Sequence, residues 1–368
     1  MENNKEEADR RREDELHENE WEVVFMGTGS SGMVPRPSCL LAEPRTCRVC
    51  DDAHENPDSK NRRLNTSLLF RFRSFLPEEA EEEGGRSDGI TAKRSKVYNV
   101  LIDCGKSFRE ASLRWMIKYK VKSLDAVLLT HDHADATLGL DDLREWTRHT
   151  SNLPIYLVER DLDALSRVFP YLVDSRKATG SGYVASLTFN VIQPNTAFEV
   201  GGGLSVMPIE VHHGTAKGQP YTCLGFRFGN IAYISDCSAI PESAASLLVR
   251  VSSVSFILSF FISSSIIPLS SSVRVRCLPS PTNFPKKQEG LDVLVLDAIS
   301  PGEGFNSHLT VKESLEEVRR LRPKKTYFVG MNHDIEYDQH EAEMQTLKES
   351  EGLDVSFAYD GLRFRIAM

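Results

Sequence analysis

Two histidines two residues apart, with a carboxylate two further on, close a short apolar run: Leu124 to Thr130 leads directly into His131-x-His133-x-Asp135. Two imidazoles on a turn leaving a buried strand can present nitrogen to one ion, and the carboxylate can reach a neighbouring ion. Zinc at such a site lowers the pKa of a bound water to about 7, which supplies hydroxide at neutral pH. The bland alternative is a polar turn whose histidines face solvent. Against it, residues of ligand type recur downstream in His212-His213-Gly214, Ser235-Asp236 and Asn332-His333-Asp334, each after an apolar run that reads as a strand. Taken singly, each is more often a surface or supporting residue. Together they repeat one arrangement, strand then His or Asp then turn, which a metal centre assembled from several loops at a sheet edge requires.

A second pattern is Cys39 with Cys47-Arg48-Val49-Cys50. A Cys-x-x-Cys pair lets two thiolates grip one tetrahedral ion, and Cys39 supplies a third. Free surface thiols are the alternative. Cys104, Cys223 and Cys237 lie in or beside predicted strands and read as packed core thiols. Cys277 lies in a segment set apart below.

The elements that would position these residues are mostly strands. Short apolar runs predict strands near Glu22–Met26, Thr66–Phe72, Val97–Asp103, Leu124–Thr130, Ile155–Val158, Leu187–Ile192, Leu204–Val211, Cys223–Phe228, Ile231–Ser235, Val293–Leu296, Lys325–Val329 and Val355–Tyr359. Helical spacing appears over Phe108–Tyr119, Asp161–Phe169, Leu309–Leu321 and Gln339–Glu349. Many strands with few helices suggest sheets packed between helices. Gly27-Thr28-Gly29-Ser30-Ser31-Gly32 is a strand feeding a turn, and Pro35 and Pro37 prevent the helix that a dinucleotide site needs.

With 368 residues, 40% hydrophobic and 26% charged, the chain can build a sizeable core. A net charge of -9 argues against a general nucleic-acid binder, since little offsets a phosphate backbone. Residues 1–20 read as a disordered charged tail with no apolar signal region, and residues 21–368 as one folded domain interrupted at 249–287. The setting expected from the tail and the seven cysteines is reducing, cytoplasmic with the nucleus as alternative. Residues 249–287 stand apart. Their run Val254 to Ile262 is broken by Ser263, Ser264, Ser265 and Pro268, short of the roughly 20 apolar residues of a membrane span. The segment is read as an insert foreign to the fold, disordered or translated from intron sequence.

Gly27-Thr28-Gly29 with Val34-Pro35, Leu101-Ile102-Asp103-Cys104-Gly105, Leu129 to Asp135, Gly139-Leu140, Ile234-Ser235-Asp236 and Tyr359-Asp360-Gly361-Leu362 together resemble the metallo-β-lactamase hydrolases. Within them the chain is similar to the phosphodiesterase that opens phosphoribosyl cyclic phosphate. The resemblance spans about Val23 to Phe364, without residues 249–287. It implies an α/β fold, a four-layer αββα sandwich. It implies His131, His133 and His213 on one metal, Asp135 on a second, Asp236 bridging, and His333 completing the second site. Asp103 would support a ligand from behind, as would His212; His213 is favoured as ligand because it precedes Gly214. His308, in Asn306-Ser307-His308-Leu309-Thr310, would bind substrate or pass a proton to the leaving group, with Asp135 as its catalytic neighbour. A structural zinc would sit on Cys39, Cys47 and Cys50, with His340 as fourth ligand and His54 as a local rival.

The chain departs from the family's His-x-His-x-Asp-His at Ala136, which cannot bind metal. One or two catalytic zinc ions are therefore expected, with manganese through oxygen ligands an option for the second site. The partner expected is a small phosphodiester, a cyclic phosphate or nucleotide-like compound. No stable nucleic-acid partner and no membrane are expected, and a homodimer is compatible. The rival functions are a precursor-tRNA nuclease and a non-catalytic, metal-stabilised binding module.

Overall fold

A computed structural model of the chain describes residues 16–17, 20–75, 95–148, 152–180, 182–216, 218–251, 288–302 and 305–367. Most of the expected tail and of the expected insert, 1–15, 18–19 and 252–287, lies outside the described residues, as does the stretch 76–94.

The first sheet begins with β1 (Glu20–Gly27), β2 (Ser67–Phe75), β3 (Ser95–Ile102), β4 (Ala126–Leu128), β5 (Leu153–Leu157) and β6 (Leu187–Val191). The second takes up β7 (Phe198–Val200), β8 (Leu204–Ala216), β9 (Gln219–Phe228) and β10 (Ile231–Ile234). A two-stranded ribbon of β11 (Arg250–Val251) and β12 (Gln288–Glu289) follows, then β13 (Val293–Asp297), β14 (Lys325–Val329), β15 (Val355–Phe357) and β16 (Arg363–Ala367). The spatial orders are β16-β1-β2-β3-β4-β5-β6 and β15-β14-β13-β10-β9-β8-β7. In each sheet the last three pairings on one side are parallel and the rest antiparallel.

Period-two alternation builds the layers, because successive strand side chains point to opposite faces. On β1, Val23 and Phe25 join an inner core with Phe70, Ile102, Phe226 and Val295, while Val24 and Met26 face an outer core with Leu69, Leu101, Met116 and Leu165. On β13, Val293 and Val295 point inward, and Leu294 and Leu296 point to a third core with Leu248, Val318 and Met344. Helices α1 (Arg48–Glu55), α2 (Glu159–Val168), α3 (Glu242–Val249), α4 (Val311–Leu321) and α5 (Tyr337–Glu351), with shorter helical turns, complete the described helical structure. Residues of α2 contribute to one outer core and residues of α3, α4 and α5 to the other, which is the expected αββα sandwich. The start of α4 is fixed by a capping box, in which Thr310 Oγ1 accepts from Glu313 N and Glu313 accepts from Thr310 N. No described helix is long and apolar enough to cross a membrane.

Candidate metal centres

The catalytic-type residues gather where strands end. The chain leaves β3 at Asp103 and β10 at Asp236, both in the left-handed region, with φ of 60° and 59°. Asp tolerates that backbone better than most residues, and the sharp turns deliver both carboxylates to one sheet edge. The turn after β4 packs directly on Gly105, where a Cβ would fall 1.7 Å from the Asp135 carbonyl oxygen. A side chain at 105 would therefore push the His131–Asp135 loop away.

His131, His133 and His213 form one group, with ring centroids 4.5 to 5.1 Å apart. Asp103 Oδ1 accepts from Thr130 N at 2.9 Å, and both its carboxylate oxygens lie within 3.0 Å of Thr130 Oγ1. Since Thr130 spends its hydroxyl proton on Asp103, His131 Nδ1, 2.8 Å from Thr130 Oγ1, is the donor in that pair. The lone pair of His131 thus sits on Nε2. His213 Nδ1 likewise donates to the Ser307 carbonyl at 2.6 Å, leaving its Nε2 as acceptor. His131 Nε2 is 3.4 Å and His213 Nε2 is 3.8 Å from Asp236 Oδ2, and His213 Nε2 is 3.3 Å from His133 Nδ1. Burial, then the neighbouring His133 and His213, holds the His131 pKa well below its ordinary value, and burial lowers His213 too, so both stay neutral. Neutral imidazoles are the form that ligates metal.

Asp236 also joins His131 and Asp135 in one donor group, and His213 and His308 in another. His308 Nδ1 lies 2.8 Å from Asp297 Oδ2, a residue that sequence reasoning passed over at the end of the β13 run. Burial alone would lower the His308 pKa, but Asp297 reverses that and raises it to about 9. A further unforeseen group flanks His133. Tyr221 stacks on its ring at 5.2 Å and donates to Asp132, and the Arg160 guanidinium lies 4.3 Å from the Tyr221 centroid. A cleft of about 260 Å³ shares Arg160 and includes Thr130, Glu210 and Thr222.

Two sequence expectations are corrected here. His333 does not join the catalytic cluster. Its Nδ1 lies 3.3 Å from Cys39 Sγ and 3.4 Å from Cys47 Sγ, in a group completed by Cys50. The cause is Arg63, fully buried, which donates to the Asn332 and Ile335 carbonyls at 2.9 Å and clamps the loop carrying His333 against the cysteine segment. Consequently His340 is not the fourth member of the cysteine group. Its Nδ1 donates to the Glu336 carbonyl at 2.7 Å, within its own helix; His54 is exposed on α1. Nor does His212 enter any of these donor groups among the described residues, since its neighbour His213 takes the facing side of β8.

The donor sets fit divalent ions. Zinc–nitrogen bonds of 2.0–2.1 Å in a tetrahedron imply donor separations of about 3.3–3.4 Å, beside 3.3 Å for His213 to His133, 3.4 Å for His131 to Asp236 and 3.8 Å for His213 to Asp236 here. His131 Nε2 is buried with no hydrogen-bond partner, a costly arrangement that a cation would relieve. In the cysteine group, burial pushes Cys50 up to about 12, so that thiol ionises only beside a cation.

Residues 98–258 match the model of the Beta-lactamase superfamily domain. Over nearly its full length the chain is similar to a new diphosphatase from the PhnP family, 25% identical with a TM-score of 0.63, covering 95% of this chain and 98% of that one. Zinc-bound PqqB from Methylobacterium extorquens is 17% identical at a TM-score of 0.58 (93% and 99% covered), and human short-form tRNase Z is 13% identical at 0.51 (94% and 100%). An Octanoyltransferase from Porphyromonas gingivalis is 30% identical over 217 residues, 59% of this chain. The match spans only 35% of that relative's length. The chain therefore has the metallo-β-lactamase fold, and residues 98–258 of it match the Beta-lactamase superfamily domain. Within it, the PhnP-family diphosphatase shares both its fold and a quarter of its residues.

Proposed function

We propose that the chain is a metal-dependent phosphodiesterase acting on a small anionic phosphodiester, a cyclic phosphate or nucleotide-like compound. One observation carries the metal half of this reading: His131 Nε2, buried with no hydrogen-bond partner, lies 3.4 Å from Asp236 Oδ2 and shares one donor group with His133 and His213. The phosphorus half is supported by the similarity to the PhnP-family diphosphatase. His131, His133 and His213 would hold one ion, with Asp236 and Asp135 on its open side; Cys39, Cys47, Cys50 and His333 would hold a structural zinc. When bound, a divalent ion at the His centre supplies a nucleophilic water at neutral pH and neutralises charge on the phosphoryl oxygens.

The chain's own residues do the rest. Asp103, through Thr130, fixes the His131 ring and its tautomer. The Ser307 carbonyl does the same for His213. Tyr221 covers one face of His133 and restricts its swing. Arg160, held over Tyr221 and against Asp161 at 2.8 Å, places a fixed cation beside the cleft, suited to an anionic group remote from the scissile bond. The net charge of -9 disfavours an RNA substrate.

The test is turnover of bis(p-nitrophenyl) phosphate and a panel of cyclic phosphates, nucleotides, diphosphates and thioesters by zinc- and manganese-loaded protein. Phosphodiester cleavage abolished by His131→Ala is the expected result. Turnover confined to thioesters would contradict the phosphodiester assignment, and none on any compound would favour a binding module.

A further inference from the structure

We infer that the cleft beside Arg160 is a ribose subsite, with Glu210 and Glu159 accepting hydrogen bonds from the sugar's free 2′- and 3′-hydroxyls. On the phosphodiesterase reading, on which this rests, the substrates narrow to nucleoside 5′-diphosphate esters whose ribose diol is free. Three residues of the cleft wall lead to the metal centre. Thr130 Oγ1 lies 2.8 Å from His131 Nδ1, and Cys223 Sγ donates to the Asp236 carbonyl at 2.9 Å. Arg160 lies over Tyr221, whose ring stacks on His133. The cleft holds about 260 Å³, below the roughly 300–1,000 Å³ of a site that encloses a whole ligand, so it suits one ring of a larger substrate. Its walls are already tied together. Leu224 N donates to the Thr130 carbonyl at 2.9 Å, which joins the two sheets there. Asn195 N donates to the Pro208 carbonyl at 2.8 Å and its Oδ1 accepts from Glu210 N at 3.1 Å, which fixes the turn at residues 193–194 against β8.

The lining divides by chemistry. Val158, Ile192 and Leu224 offer apolar surface to ring carbons, while Glu159, Glu210, Gln193 and Thr222 bring polar side chains. Among the described residues neither the Glu159 nor the Glu210 carboxylate has a hydrogen-bond or ion-pair partner, and Arg160 is the only cation of the lining. An ionised carboxylate accepts hydrogen bonds and donates none, so its ligand must bring donors. Two carboxylates repel a phosphate from the interior of the cleft, and Arg160 disfavours an ammonium group there. A neutral group rich in hydroxyls meets both conditions. An acidic side chain accepting from a ribose hydroxyl is also how dinucleotide sites read that sugar. With the ribose in the cleft, its 5′-phosphate falls at Arg160 and the next phosphorus reaches the His131–His133–His213 centre. Water adds to that phosphorus and its bond to the bridging oxygen breaks. The bridging oxygen leaves with the nucleoside monophosphate, the other product is a phosphate monoester, and two protons pass to solvent.

Binding, not turnover, is the first readout. Isothermal titration calorimetry on zinc-loaded, full-length protein compares uridine 5′-phosphate with its 2′-deoxy analogue. The ribonucleotide is expected to bind about tenfold more tightly, the effect of one hydrogen bond to a charged acceptor. Glu210→Gln should cut that preference to about twofold, and Glu159→Gln should reduce it less. Arg160→Met should weaken both nucleotides by the same factor and leave the preference intact. Circular dichroism checks that each variant is folded, and Glu159→Gln carries the test if Glu210→Gln is not. Equal affinity for the two nucleotides, no binding of either, or an unchanged preference in the folded glutamate variant would overturn the subsite. UDP-glucose is expected to give uridine 5′-phosphate and glucose 1-phosphate. The parent reading is judged separately on bis(p-nitrophenyl) phosphate, which carries no sugar. Its turnover with UDP-glucose left intact, or with the two nucleotides bound alike, keeps the phosphodiesterase and overturns the proposal. A ribose preference without turnover of any phosphodiester keeps the subsite and removes the phosphodiesterase.

Discussion

The two donor clusters use similar side chains to opposite ends. Cys39, Cys47, Cys50 and His333 supply four donors to one point, the closed set that a structural zinc takes. The catalytic cluster spreads three imidazoles and two carboxylates around a wider space, with His133 exposed and Tyr221 and Arg160 at its rim. A closed set leaves no position for substrate; an open one does. Location follows the same division. The cysteine cluster ties the excursion between β1 and β2 to the loop after β14, so it joins chain segments nearly 300 residues apart. The catalytic cluster sits on strand ends already held by two sheets, so its side chains are positioned by the sheets themselves.

That contrast makes separable predictions. The largest effect is catalytic: His131→Ala should cut phosphodiester turnover on the order of a thousandfold, with the circular dichroism spectrum and melting temperature nearly unchanged. Cys50→Ser should do the reverse. It should lose one zinc and about 3 kcal/mol of stability, read as a fall of several degrees in Tm, while kcat at low temperature stays within a few-fold. If Cys50→Ser abolished turnover in folded protein, the division of labour would break down.

Asp103→Ala sits between the two. It strips Thr130 N and Oγ1 of their buried acceptor, so a loss of about 2–3 kcal/mol in chemical denaturation and about 10–100-fold in zinc affinity at the catalytic centre is expected together. Arg160→Met should sharpen the account of the open rim. KM for substrates with a second anionic group should rise about tenfold with kcat little changed, and substrates without that group should be unaffected. The smallest effect is local: Glu313→Ala, opening the capping box of α4, should cost about 1 kcal/mol in stability and leave kinetics alone.

What could be read in the sequence follows the range of each interaction. His131-x-His133-x-Asp135 is contiguous, and the apolar runs of β1, β10 and β13 are local, so both could be read directly, whereas the four-layer sandwich was implied by the family resemblance. His333 was misplaced because its environment is set by Arg63 and by cysteines far back in the chain, contacts that no spacing rule encodes. His340 looked available as a fourth ligand because a helical histidine gives no hint that its Nδ1 already serves Glu336. Asp297 escaped notice because one acid after four apolar residues looks like the end of a strand, and only the folded chain sets it behind His308. The edge strand β16 was hidden by its alternating arginines, of which Arg365 reaches the buried Glu22 on β1. Tyr221 and Arg160 carried no motif, and their relation to His133 arises where β9 and α2 meet the His131–Asp135 turn.

Anomalous diffraction from zinc-loaded crystals, recorded on both sides of the zinc absorption edge, tests the central claim most directly. A peak within bonding distance of His131 Nε2, His133 Nδ1 and His213 Nε2 is the predicted result, beside an internal control peak among Cys39, Cys47, Cys50 and His333. A strong peak at the cysteines with none among those three imidazoles would contradict the account.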